Sequence, residues 1–172
     1  MKTDVEYLEF MWPMRHFLVS CGEMGREVNI ITVSFCMPVS KAPPHLACAV
    51  GKDAHSARLI EESGEFAINV PEAKLEREVR YCGFHSGRDV DKFAETGLTP
   101  SPARRLKAPV IGECAAHMEC VLRESLETGD KILFIGEVLE SYADADLASG
   151  ERELDFAMGD FPRKIYGGRF DG

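Results

Sequence analysis

The sequence is poor in the features that would assign it quickly. No C-x-x-C pair occurs among its six cysteines at 21, 36, 48, 82, 114 and 120, and their spacing lacks the dense regularity of a disulfide-stapled secreted domain. It has a single tryptophan, and its 20 Lys and Arg are outnumbered by 29 Asp and Glu, giving a net charge of −9. That balance argues against general affinity for nucleic acid or an anionic membrane surface, so an anionic ligand has to meet a local basic cluster. No apolar run approaches the ~20 residues of a membrane span. The first residues, MKTDVEYLEF, lack the cationic-then-apolar order of a signal peptide. Reduced thiols in a cytoplasmic protein are the expectation. G-x-S-x-G, H-E-x-x-H, Walker and G-x-G-x-x-G patterns are absent, and no two of the five histidines and six cysteines share a recognised metal-ligand spacing.

What is present reads as short strands. At 172 residues and 45% hydrophobic content the chain can bury a core as one domain spanning 1–172. HFLVSC, VNIITVSF, PVSKAPP and HLACAV are rich in Val, Ile, Thr and Phe and are separated by turn residues, with Pro43-Pro44 assigned to a connection. A helix is expected from Ala54 to Ser63, capped by Asp53 and stopped by Gly64, followed by the strand EFAINV. Leu75 and Val79, four apart among charges, predict a second amphipathic helix ending near Gly83. Residues 84–112, with Gly, Pro, Ser and Asp at close intervals, read as loop-rich. From Glu113 to Tyr142, two long strands flank Thr128-Gly129-Asp130 as a hairpin turn, and Cys114 and Cys120 are expected to face one side of the first of them. Many short strands with two short helices predict a mainly β, Greek-key barrel.

Four segments, EVNIITVSF at 27–35, GKDAHSARLIEESGEFAINV at 51–70, CGFHSGRDVDKF at 82–93 and TGDKILFIGEV at 128–138, resemble in order and separation the flavin reductase-like family, which includes the flavoredoxins. The third is the most specific. The resemblance implies an FMN-binding split β-barrel with a few short α-helices, a homodimer, and electrons passed through a non-covalent flavin. The flavin would exchange electrons with a redox partner protein or with NAD(P)H.

In the family, the strand matching VNIITVSF runs along the isoalloxazine. That makes Asn29, Ile30, Thr32 and Phe35 the expected ring contacts, through a polar side chain, backbone groups and an aromatic. The hydroxyl position matches Ser56 at a helix N-terminus, where free N–H groups favour phosphate, with Lys52 and His55 beside it. Lys92 matches a cofactor lysine, with Ser86 and Arg88 on the same loop. Lys131 stands where flavoredoxins commonly carry histidine, and Tyr166 is matched to a C-terminal aromatic over the pocket.

Each residue also has a plainer reading. Asn29 can be a bulge residue, Phe35 core, Asp53 or Ser56 a helix cap, and Lys92 or Lys131 a solvated charge. Two other functions stand beside the flavin one: a non-catalytic split-barrel binding or interaction module, and a thiol redox protein using Cys36 or Cys82, each of which ends an element beside a loop.

Overall fold

The structure is a computed structural model that describes residues 2, 4, 7–11 and 13–157. Four strands come first: β1 (Phe17–Gly22), β2 (Val28–Val33), β3 (Cys36–Lys41) and β4 (Pro44–Gly51). Helix α1 (His55–Ser63) leads into β5 (Glu65–Val70), and a 3₁₀ turn at Ala73–Leu75 runs into α2 (Glu76–Phe84). Then come α3 (Lys92–Thr96), the short β6 (Pro100–Ser101) and β7 (Val110–Ile111), the long hairpin β8 (Ala116–Thr128) and β9 (Lys131–Ala143), and α4 (Ala145–Ser149).

Seven strands form one antiparallel sheet in the order β2-β1-β5-β8-β9-β4-β3, and β6 pairs with β7 apart from it. The non-sequential neighbours β1-β5 and β4-β9 are the crossovers that the Greek-key expectation requires.

β1 explains why the molecule has two apolar clusters. Its side chains alternate between faces, and both faces are covered. Val19 and Cys21 join Val50, Phe66, Ile68, Phe134 and others inside the barrel, packed against Leu59 and Ile60 of α1. Leu18, with Ile30 of β2, faces the opposite way and packs against Leu75, Val79 and Cys82, and against Phe93 of α3. β2 is therefore fixed on one face by the barrel and on the other by α2 and α3. Thr32 Oγ1 donates to Val79 O at 2.6 Å, which ties the strand to α2 directly.

Gly22 ends β1 at φ +92°, and a Cβ there would lie 2.0 Å from Glu27 O, so the turn into β2 admits only glycine. Gly22→Ala is expected to lower unfolding free energy by about 2–4 kcal/mol, read from urea denaturation, because backbone has to move to accept it.

Several expectations need correction. Asp53 does not cap α1: a turn closed by Ala54 N–H to Gly51 O puts Ala54 at the N-cap, and no side chain caps the helix. Pro43 lies in the connection, but Pro44 begins β4 opposite Lys41, a first-strand position that proline tolerates. Within the loop-rich stretch 84–112 the sequence reading does not name α3. α3 forms there because Asp91 Oδ1 accepts from Ala94 N–H at 3.1 Å and Gly97 closes the helix in the left-handed region. Cys114 precedes β8, and a bulge between Glu119 and Cys120 shifts the register, so Cys114 enters the α2 cluster and Cys120 the barrel. Cys82 is fully buried.

Candidate functional site

The residues expected to serve one site do not all gather in one place. One group gathers at the start of β2. Asn29, only 4% exposed, donates through Nδ2 to Ser56 Oγ at 2.9 Å. On its other side the 85–91 loop lies directly on the carboxamide, since a Cβ at Gly87 would fall 2.4 Å from Asn29 Oδ1. Asn29 thus joins the first turn of α1 to the CGFHSGRDVDKF segment. Between them opens a cleft of ≈ 490 Å³, whose lining includes Arg26, Arg88 and Lys92 but also the acids Glu27, Asp89 and Asp91, together with Asn29 and His55. That volume falls in the ~300–1,000 Å³ range of small-molecule sites.

The electrostatics of this cleft favour an anion on one wall. α1 has no side-chain cap, so its first-turn N–H groups retain their positive dipole end. His55, 9% exposed, has Nε2 2.7 Å from Glu27 Oε1, while its Nδ1 is buried without a hydrogen-bond partner among the described residues. Arg58 Nη2 donates to Glu27 at 3.0 Å, and its Nη1 donates to Glu62 at 2.7 Å. The Arg58 guanidinium, followed by His55, holds the Glu27 carboxyl below the usual carboxylate range. Arg88 is exposed beside the cleft, its N–H donating to Ser86 Oγ at 3.2 Å in a local turn.

Lys92 lines the same cleft but spends its ammonium inward. It is 3% exposed, and Nζ donates to Ile30 O and Cys82 O, both at 2.8 Å. Burial lowers its pKa, with the nearby Cys82 and Cys21 opposing that shift. In this arrangement Lys92 clamps the outer edge of β2 to the end of α2.

The other expected residues lie elsewhere. Ile30 is fully buried in the α2 cluster. Phe35 sits, half-buried, in the connection from β2 to β3, where its carbonyl accepts from Ala49 N–H at 2.9 Å. Lys52 and Lys131 meet at the tip of the long hairpin: Lys52 donates to Glu127 at 2.7 Å, and Lys131 pairs with Asp130 at 3.1 Å. Neither lysine lines the cleft. Tyr166 lies outside the described residues.

Sequence reasoning missed Glu27 and Gly87. Glu27 is 28 positions from His55, a separation with no periodic signal, and Gly87 passed as an ordinary loop glycine.

The thiols offer little chemistry. Burial pushes Cys36 up to about 12 and Cys82 up to about 11, so neither is a thiolate near neutral pH. Among the described residues no cluster of three or more His, Cys, Asp or Glu side chains could hold a metal ion. No helix among them is long and apolar enough to cross a membrane.

Comparison with known proteins decides the family. The flavin reductase like domain matches residues 12–166. The chain belongs to this family. A protein of Archaeoglobus fulgidus is 35% identical over 153 residues, covering 88% of this chain and 85% of its own. Among solved structures, the flavoredoxin of Desulfovibrio vulgaris is 31% identical with a TM-score of 0.77, over 85% of this chain and 78% of its own. An NADH:FAD oxidoreductase of Streptomyces globisporus is 27% identical with a TM-score of 0.71, over 84% and 89%. The split-barrel fold of these flavin reductase-like proteins is the fold of this chain, and a flavin-related redox function comes with the family.

Proposed function

We propose that the chain binds FMN non-covalently, with the phosphate at the N-terminus of α1 in the cleft between β2 and the 85–91 loop, and that electrons pass through the bound flavin. The carrying observation is the uncapped helix start beside a buried imidazole whose Nδ1 has no partner among the described residues. The helix dipole and the exposed Arg88 together present donors to an anion on a chain of net charge −9. Flavin supplies the redox chemistry when bound. The residues named here position it, and none has to act as acid, base or nucleophile.

Ser56 and Asn29 hold the first turn of α1 against β2, and Lys92 holds the end of α2 against the same strand. Lys92 therefore supports the site from behind. A variant lacking it would confuse folding with binding, so exposed Arg88 is the better probe. Arg88→Ala is expected to weaken FMN about tenfold while changing riboflavin less than about twofold, as one lost charge-assisted bond to phosphate predicts. Isothermal titration with both flavins checks this. Equal loss for both would move the phosphate elsewhere.

The ring half of the site is less complete within one chain. Thr32 is committed to α2, and Phe35 and Lys131 lie away from the cleft. Exposed Met37 and Val39 on the edge strand β3 support a homodimer that covers this side. Anaerobic NADH, then NADPH, separates the two redox roles. Bleaching of bound flavin marks a reductase, and persistence of the oxidised spectrum marks a carrier served by a partner protein.

A further inference from the structure

Glu27 occupies hydrogen-bonding groups at the start of α1, beside the place proposed for the phosphate. Its two carboxylate oxygens take His55 Nε2 at 2.7 Å and Arg58 Nη2 at 3.0 Å and 3.2 Å. The Glu27–Arg58 pair is exposed on both sides, and such a pair contributes only ~0–1 kcal/mol to folding, so fold stability gives that half of the arrangement little reason to exist. Its position is more telling. Glu27 follows the glycine-started turn between β1 and β2 and lines the cleft, as does His55. The Glu27 side chain is 54% exposed against 9% for His55, so the carboxylate can turn to solvent without unpacking anything while the imidazole stays.

We infer that Glu27 is a built-in competitor for the flavin phosphate. It holds His55 and Arg58 in the absence of flavin and yields them when a phosphate enters, which lowers affinity for phosphorylated flavins and keeps the flavin exchangeable. This rests on the phosphate placement proposed above. An ionised Glu27 beside a dianionic phosphate is repelled in proportion to the ligand's charge, so the effect falls on FMN and spares riboflavin, which has no phosphate. Glu62 is the internal control. It pairs with the same Arg58 and lines a neighbouring hollow that Glu27 also borders, but unlike Glu27 it does not line the cleft.

The test is titration of wild-type, E27Q and E62Q protein with FMN and with riboflavin, with circular dichroism to confirm folding. E27Q is expected to bind FMN about tenfold more tightly than wild type, with riboflavin and the E62Q protein each within about twofold. Glu27→Ala, read the same way, replaces E27Q if that variant fails to fold. Unchanged or weaker FMN binding by the Glu27 variant overturns the proposal, as does an equal gain for riboflavin or for E62Q, which would reduce the effect to ring packing or net charge. If wild type and every variant ignore both flavins, the flavin reading itself fails and this inference with it. If wild type binds flavin but E27Q shows no gain, only the competitor role fails.

Discussion

Raising the pH from about 8 to about 10 is expected to remove on the order of 5–10 kcal/mol of folding free energy, enough to unfold a typical domain. The cause is the buried thiols. Burial pushes Cys21 and Cys120 up to about 12 and Cys82 up to about 11, and raises Cys48 and Cys114 as well. A free thiol in the unfolded chain ionises near ~8.5. Because the folded values are the higher ones, this stability is fully present below the unfolded value and is lost as pH rises toward about 11–12. Each thiol whose folded value lies near 11–12 then costs about 1.4–2 kcal/mol by about pH 10. Lys92 works the other way, since its lowered pKa makes the fold more favourable as pH rises, but it is one group against six thiols, Cys36 included. Urea denaturation at the two pH values checks the expectation. A flat profile would mean that the thiols ionise within the fold, and it would restore the thiol-redox reading.

Asn69→Leu is expected to lower stability by about 4 kcal/mol, again from urea denaturation, although it keeps the number and branching of side-chain heavy atoms. Asn69 is completely buried. Its Nδ2 donates to Leu18 O at 2.8 Å and Ser20 Oγ at 2.9 Å, and its Oδ1 accepts from Ile111 N–H at 3.0 Å and stands 2.9 Å from His117 Nδ1. One amide thus joins β1, β5, β7 and β8, and leucine would leave each partner buried without its bond. A second buried anchor lies on β8: Glu119 accepts the N–H groups of Arg104 and Arg105 and the Tyr142 hydroxyl. A loss under about 1 kcal/mol for Asn69→Leu would mean that water or a shifted loop satisfies these groups.

These two networks show where sequence reading stops. Local signals carried the strands and the hairpin turn, because Val, Ile and Phe enrichment and a Gly-Asp pair act within a few residues. Gly64 stops α1 for the same local reason. α3 escaped because five residues are too short for helical periodicity, although Asp91 and Gly97 mark both its ends. The two-cluster core escaped because Leu18 and Val19 are both apolar, so β1 carries no polar face to orient it.

At the site, the family resemblance led to Asn29, His55, Ser56 and Arg88, which the fold gathers around the start of α1. It could not reveal that Lys92 turns its ammonium onto Ile30 and Cys82 carbonyls. Nor could it reveal that Glu27 covers His55. Both are long-range pairings that exist only once the barrel has closed.

The most direct test of the account is titration of the purified protein with FMN, followed by flavin absorbance and fluorescence. Saturable binding with a shifted spectrum, at micromolar or tighter affinity and weaker for riboflavin, is the predicted result. Free-flavin fluorescence that stays unchanged throughout the titration would contradict the proposed function and leave the chain a split-barrel module for another ligand.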